Sequence, residues 1–299
     1  MKILIADDDA ISRRLLRAAL VSFGHDVVEV ENGAGAVAAL ALPDAPAFAI
    51  LDWMMPDIDG LTVCRTVRQS PGRYVYVILL TGRDAPADMI AALDAGADDF
   101  LTKPFNIGEL RGRLKAGERV LVLQDDLLRS QQVLRHEATH DRLTGLWNRG
   151  RVLDELAREL RRNRRELGSL AVIVADVDHF KQINDSFGHA MGDIVLQNIA
   201  KRILSALRST DSVGRYGGEE FLLVLPGADA SGGRDVADRV RAAVAAEQIR
   251  ETPSELMVTM SLGVACSGPG VVESAALVEA ADQALYRAKA NGRNRVEVA

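Results

Sequence analysis

The sequence predicts an α/β first part and an α+β second part, joined by a long helix. Three observations carry this reading. Five short β-rich runs are each followed by an amphipathic helical segment. A stretch from Asn106 to about His140 contains no proline. The later order of strands and helices is mixed and contains a hairpin signal. Strict βα alternation favours a parallel sheet covered by helices on both faces. A mixed order with an internal hairpin favours a partly antiparallel sheet.

In the first part, KILIA (2–6) precedes a predicted helix near 11–22, and HDVVEV (25–30) precedes one near 33–42. FAILD (48–52) leads to a helix near 60–69, and YVYVILL (74–80) to one near 86–95. DDFLTKP (98–104) leads to a final helix from about 106. Within the proline-free connector, Leu114, Leu121 and Leu128 recur every seven residues, but Gly117, Gln124 and Gln131 between them break a strict heptad seam. A connector that pairs with its copy in another subunit is the functional expectation, and a solvated spacer helix the alternative. From about 141 the pattern predicts a basic helix over 151–165, the strand SLAVIVADVD and a helix over 190–208. A hairpin around RYGGEEFLLVLP, a helix near 231–247, the strand LMVTMSLGVAC and a helix over 274–290 follow.

The chain has 299 residues, enough for two domains with their own cores. With 48% apolar and 26% charged residues it reads as a soluble globular protein. A net charge of −6 excludes a global basic field for nucleic acid or an anionic membrane. The start MKILIADDDA meets acid too early for a signal peptide, and YVYVILL and LAVIVA are too short to span a bilayer. Cys64 and Cys266 match no metal or redox spacing and are expected as reduced thiols in a cytoplasmic protein.

Asp7 and Asp8 fall at the predicted end of the first strand, and Asp52 at the end of the third. In a parallel doubly wound sheet these ends lie side by side, where ligands bind. Three converging carboxylates repel one another unless a hard cation such as Mg²⁺ joins them. Thr81 ends the fourth strand and Lys103-Pro104 follows the fifth, and a hydroxyl with an ammonium suits phosphoryl oxygens. Helix-capping loop aspartates would explain one or two of these residues but not all five strand ends.

ADDD, LDWMMPDIDG, LLTG and LTKPF, in this order, make residues 1–118 resemble a response-regulator receiver domain, with a flavodoxin-like (βα)5 fold. The resemblance implies that Asp52 accepts a phosphoryl group from a histidine kinase or phosphotransfer protein. It also implies that Asp7, Asp8 and Asp52 with the Met54 carbonyl hold Mg²⁺, and that Thr81 and Lys103 contact the phosphoryl group. Phe100 occupies the place of the family's switch aromatic; a buried core phenylalanine is the bland alternative.

Gly217-Gly218 is a two-residue hairpin signal, because the favoured primed turns need positive φ. Glu219 and Glu220 would then point to opposite faces of the returning strand, near Asp176 and Asp178 at the end of AVIVADVDHF. An acidic strand end facing an acidic hairpin is a second candidate Mg²⁺ site, and the glycines allow close approach of a ligand. Asn184 and Asp193 together supply the amide and carboxylate that can read guanine. Lys289 and Arg293 are four residues apart, so a helix would carry both on one face as phosphate neutralisers.

DRLTGLWNR (141–149), DVDHFKQIND (176–185), GHAMGD (188–193), RYGGEEF and YRAKANGRNRV resemble a GGDEF domain from end to end, with GGEEF as the signature. The resemblance implies a nucleotidyl-cyclase-like α+β domain over 139–299, reached through a helical linker over 119–138. It implies a diguanylate cyclase that condenses two GTP to cyclic di-GMP as a homodimer. Mg²⁺ would be held by Asp176, the Val177 carbonyl and Glu219, with Glu220 as a further contact or support. Asn184 and Asp193 would read guanine, and Lys289 and Arg293 would bind phosphates. The resemblance further implies an inhibitory product site at the R-x-x-D of Arg208 and Asp211, with Arg239 as a third contact or an ordinary surface arginine.

Two other readings compete. HEATH (136–140) matches the zinc-protease string H-E-x-x-H, yet a catalytic zinc needs a third protein ligand and a cleft. A phosphorylation-gated cyclic di-GMP receptor with an inactive cyclase domain is the other, and the intact acids and guanine readers weigh against it.

Overall fold

The first parallel sheet is built from β1 (Lys2–Ala6), β2 (Asp26–Val30), β3 (Phe48–Asp52), β4 (Tyr76–Thr81) and β5 (Asp99–Thr102), in the order β2-β1-β3-β4-β5. Between and after them run α1 (Ala10–Ser22), α2 (Gly33–Leu40), α3 (Gly60–Gln69), α4 (Pro86–Asp94) and α5 (Ile107–Thr139). The computed structural model describes residues 1–70, 72–82, 86–166, 168–246, 248–249, 256–267 and 273–299. The chain divides into two units, Met1–Gln131 and Gln132–Ala299. None of the described helices is long and apolar enough to cross a membrane.

Strand alternation decides which helix meets which face of the first sheet. Leu4 and Ala6 of β1 pack with Ala36 of α2 and Val63 and Cys64 of α3. Ile3 and Ile5 pack on the opposite face with Leu16 and Leu20 of α1 and Leu110 and Leu114 of α5. Because both faces are covered, every residue of β3 is buried. Asp9, Asn32 and Asp59 start α1, α2 and α3 by accepting hydrogen bonds from the backbone N–H groups of the first turn. Gly60 admits the start of α3 against the end of β3, since a Cβ there would lie 2.3 Å from the Asp52 carbonyl oxygen.

The proline-free connector is one helix, but its recurring leucines do not form a common seam. Leu114 and Leu121 are buried in the core beneath the first sheet, whereas Leu128 is 43% exposed. Leu128 shares the surface of α5 with other apolar residues, among them Val120, Leu123, Leu127 and Leu134.

The second unit holds α6 (Arg149–Glu166), β6 (Leu170–Val177), α7 (Phe180–Phe187), α8 (His189–Ala206), β7 (Ser212–Arg215) and β8 (Glu220–Pro226). It ends with α9 (Ala230–Ala245), β9 (Met260–Cys266), α10 (Ser274–Ala290) and β10 (Val296–Val298). Its sheet runs β10-β9-β6-β8-β7, antiparallel except for the β10–β9 pair. Ile173 and Ala175 of β6 face α8 and α9, while Val172 and Val174 face α6 and α10. Leu256–Thr259 precede β9 rather than belonging to it, and residue 247, at the expected end of the helix near 231–247, lies outside the described residues. Two elements escape the sequence pattern. The helix α7 is only eight residues long and starts at His179 in the left-handed conformation, without a side-chain cap. The three-residue β10 is too short to show alternation.

Candidate active sites

The first site follows from sheet order. β1 and β3 are neighbours in parallel register, so the residues that follow or end them, Asp7 and Asp52, come side by side. Both are buried, Asp8 is exposed, and one carboxylate oxygen from each of the three lies within 4.8 Å of the others. Lys103 Nζ is 2.7 Å from Asp7 Oδ2 and 3.1 Å from Asp52 Oδ1. Burial pushes the Asp52 carboxyl above its ordinary range; Lys103 opposes that rise, and Asp7 and Asp8 add to it. Burial acts against the Lys103 ammonium, but hydrogen bonds to Asp7 and Asp52 outweigh it and hold its pKa above the usual value. The donor set, three carboxylates drawn together around one ammonium, fits a hard divalent cation.

Thr81 is buried at the end of β4, and the Lys103 N–H donates to its carbonyl at 2.7 Å, so both stand beside Asp52. Met54 lies in the loop between β3 and α3 with its side chain exposed. Phe100 is half-buried on β5, with the Arg113 guanidinium 5.3 Å from its ring centre. Ser12, which the sequence pattern does not single out, donates from Oγ to Asp7 Oδ2 at 2.5 Å. Its role depends on the turn of α1 that brings it back over β1, a contact with no motif of its own.

The second site is organised by the antiparallel register of β6 and β8, which sets Asp176 directly opposite Glu220. Glu219 lies just before β8, and its carbonyl accepts from the Val177 N–H at 3.3 Å. Burial, then the charge of Asp176, pushes the carboxyls of both Glu219 and Glu220 upward. Asp176 is itself raised by burial, against the opposing pull of Lys289, whose Nζ is 2.8 Å from Asp176 Oδ2. Crowded carboxylates with raised pKa values mark a place where a cation would be welcome. Among the described residues, the 4.8 Å approach of three ligand atoms occurs at Asp7, Asp8 and Asp52, and not at these acids.

The hairpin differs from the expected primed turn. Gly217 and Gly218 are not among the residues with positive φ. The loop is longer than two residues, with the N–H groups of Tyr216 and Gly217 both donating to the Glu220 carbonyl. Glycine at 217 leaves room beside the Glu220 side chain: a Cβ there would lie 2.3 Å from the end of its carboxylate, which would have to turn aside. The Gly218 carbonyl accepts from Arg215 Nη2 at 2.6 Å and Nε at 3.0 Å. Arg215 Nη1 also lies 3.3 Å from both oxygens of Asp141, two residues beyond the end of α5. Neither Arg215 nor Asp141 is assigned by the sequence reading, because its signals are single charges inside quoted motifs.

Asn184 sits on α7, close against Gly192, where a Cβ would lie 2.0 Å from its Oδ1. The small residue thus brings the Asn184 amide to the turn of α8 that carries the exposed Asp193. Lys289 lies on α10, but Arg293 does not. The helix ends at Ala290, and Gly292, Arg293 and Asn294 follow in left-handed conformation, so the expected shared helical face is replaced by a turn. Asp178, named in the sequence only as a second strand-end acid, is fully engaged by protein donors from Thr259, Ser261 and Asn294.

Arg208 and Asp211 form an exposed turn after α8, closed by the Arg208 N–H donating to Asp211 Oδ2 at 2.9 Å. Arg239 on α9 reaches the same corner, donating from Nε to the Ala206 carbonyl at 2.7 Å. His136 and His140 stack at the end of α5 with ring centres 3.9 Å apart. Among the described residues no third ligand completes a metal site with them.

Comparison with known proteins identifies the family of each unit. The family described as "Diguanylate cyclase, GGDEF domain" matches residues 138–295, and "Response regulator receiver domain" matches residues 3–115. The chain belongs to the GGDEF family of diguanylate cyclases and carries a response-regulator receiver at its N-terminal end. The response regulator PleD of Caulobacter vibrioides is 26% identical, across 99% of this chain and 98% of its own length. The diguanylate cyclase DgcP of Pseudomonas aeruginosa is 43% identical over 64% of this chain, which covers 29% of DgcP. A crystal structure of the coiled coil and GGDEF domain of DgcB from Caulobacter crescentus, in complex with c-di-GMP, superposes with a TM-score of 0.58 at 32% identity. That match covers 64% of this chain and 99% of the DgcB chain.

Proposed function

We propose that this protein condenses two GTP into cyclic di-GMP and two pyrophosphates, under control of phosphorylation at Asp52. The observation that carries the proposal is the cross-strand pairing of Asp176 with Glu220 at a sheet end, with Lys289 at 2.8 Å from Asp176. Mg²⁺ held by Asp176, the Val177 carbonyl and Glu219 would offset charge on the triphosphate as the 3′-hydroxyl of the opposing GTP attacks. Glu220 supports that set from across the strand. Lys289 and Arg293 bind phosphate oxygens, and Asn184 and Asp193 read the guanine edge. In the first unit, Asp7, Asp8, Asp52 and the Met54 carbonyl hold a second Mg²⁺, while Thr81 and Lys103 meet the phosphoryl group delivered by a histidine kinase or phosphotransfer protein.

A symmetric product requires two domains facing each other, so the active form is a homodimer. Val120, Leu123, Leu127 and Leu134 support pairing through α5, since steps of three, four and seven residues leave one apolar stripe that is 39–67% exposed. Phosphorylation that repacks the surface around Phe100 would favour pairing and raise the effective concentration of one loaded site at the other. GTP as substrate and a histidine kinase as phosphodonor support a cytoplasmic location. Incubation with GTP and Mg²⁺, with and without beryllofluoride, tests this directly. Cyclic di-GMP should appear, and beryllofluoride should raise both its rate and the dimer fraction by light scattering. GTP binding without any product would favour the alternative, a cyclic di-GMP receptor with an inactive cyclase domain.

Arg208, Asp211 and Arg239 are proposed as the inhibitory product site, supported by their convergence at the corner after α8. Arg208→Ala should weaken inhibition by cyclic di-GMP at least roughly tenfold, since a charged hydrogen bond is worth about 1.5–3 kcal/mol. Initial GTP turnover should be unchanged. An inhibition curve that coincides with wild type would remove Arg208 from the site.

A further inference from the structure

We infer that Asp178 is a positioning residue for the phosphate-binding end of the cyclase site: it tethers the turn after α10 that carries Arg293. This rests on the cyclase reading above. Asp176 and Asp178 are both at least nine-tenths buried and two residues apart, yet they do different work. Asp176 meets the flexible Lys289 and the hairpin acids. Asp178 is consumed by the protein: Oδ1 accepts from Ser261 Oγ at 2.7 Å, and Oδ2 from Thr259 Oγ1 at 2.7 Å and the Asn294 N–H at 3.0 Å. Its own N–H donates to the Thr259 carbonyl at 2.9 Å. Three donors leave this carboxylate little capacity for a ligand.

The bond to Asn294 explains a costly backbone. Arg293 and Asn294 have φ of 60° and 44°, a left-handed pair that non-glycine residues avoid unless something fixes it. Two anchors do so here. The Arg293 N–H closes the helix end on the Ala288 carbonyl at 3.0 Å, and the Asn294 N–H is held by Asp178. With both ends tied, the backbone of Arg293 is held just beyond the helix whose Lys289 reaches Asp176 at 2.8 Å. An arginine on a free turn would spend part of its time elsewhere, and a small misplacement of a binding group is kinetically expensive.

Steady-state kinetics of the full chain with GTP and Mg²⁺, beside Asp178→Ala, Asp178→Asn, Arg293→Ala and the double variant Asp178→Ala/Arg293→Ala, test this. Asp178→Ala should raise KM for GTP about tenfold with a smaller change in kcat. Asp178→Asn should recover most of the loss, since its oxygen can face Asn294 while its amide donates to a turned Ser261 hydroxyl. In the Arg293→Ala background, Asp178→Ala should add less than about twofold, the mark of acting through one residue. If Asp178→Asn is as inactive as a metal-ligand variant, or the two alanine effects multiply, the inference is wrong. Should Asp178→Ala unfold, Thr259→Val removes one donor while keeping the carboxylate, and an unchanged KM overturns the proposal. A wild-type protein that makes no cyclic di-GMP defeats the cyclase reading itself. A wild type that turns over alongside an equally active Asp178→Ala defeats only the positioning role.

Discussion

Asp176→Asn is expected to lower cyclic di-GMP synthesis at least about a hundredfold, the scale on which losing one preorganised charge-stabilising group slows catalysis. The amide keeps the shape of the side chain but removes the charge that pairs with Lys289 at 2.8 Å and crowds Glu219 and Glu220. Glu219→Ala should fall into the same range, because it withdraws another carboxylate from the proposed cation site. The loss should come without unfolding. Asp176 lies near the end of a strand whose ladder bonds to β8 and β9 are made by the backbone, and Lys289 remains partly solvated. Product formation by chromatography, read beside the far-ultraviolet spectrum and melting temperature, checks both halves. A variant that keeps wild-type turnover would sink the metal assignment, and one that is unfolded would not bear on it.

Gly263→Ala is expected to be the most damaging small substitution in the second unit. A Cβ at Gly263 would lie 2.0 Å from the Ala281 carbonyl oxygen and 2.2 Å from the Leu285 nitrogen. Both are backbone atoms of α10, so no side chain can swing aside; the whole helix must lift off β9. Overpacking typically costs about 1–3 kcal/mol and sometimes more, and the upper end is expected here. Lifting α10 also carries Lys289 away from Asp176, so activity should fall with stability. Scanning calorimetry of the full chain should show the transition of the second unit several degrees lower. An unchanged transition would mean that the helix gives way freely at this contact.

Much of this arrangement is legible in the sequence, for reasons that particular residues make plain. The receiver half is readable because β3 and β4 are short, buried throughout and closed by a polar residue, and Asp7 directly follows the buried end of β1. Asp7, Asp52 and Thr81 therefore announce the sheet edge at which they meet. Asp176 and Glu220 are readable because a buried apolar run ending in acid has few explanations. What escapes detection depends on non-local packing. Arg293 was expected on a helix because spacing alone carries no record of the left-handed turn at Gly292–Asn294. Gly217 and Gly218 carry the signal of a conformational requirement, yet neither adopts positive φ. Leu114 and Leu121 repeat as a dimer seam would, yet they are consumed by the core beneath the first sheet. Periodicity reports that a face is apolar and says nothing about which partner covers it.

The Arg215 guanidinium has a consequence beyond the hairpin it braces. One planar cation holds the Gly218 carbonyl at the catalytic turn and the carboxylate of Asp141 just past the last residue of α5. The position of the substrate loop is therefore indexed to the end of the incoming helix by a fastening only two links long. All of it lies within residues 139–218, so the brace draws on no residue of the first unit. In such a design the input is a detachable handle, and the mechanism that answers it travels with the enzyme.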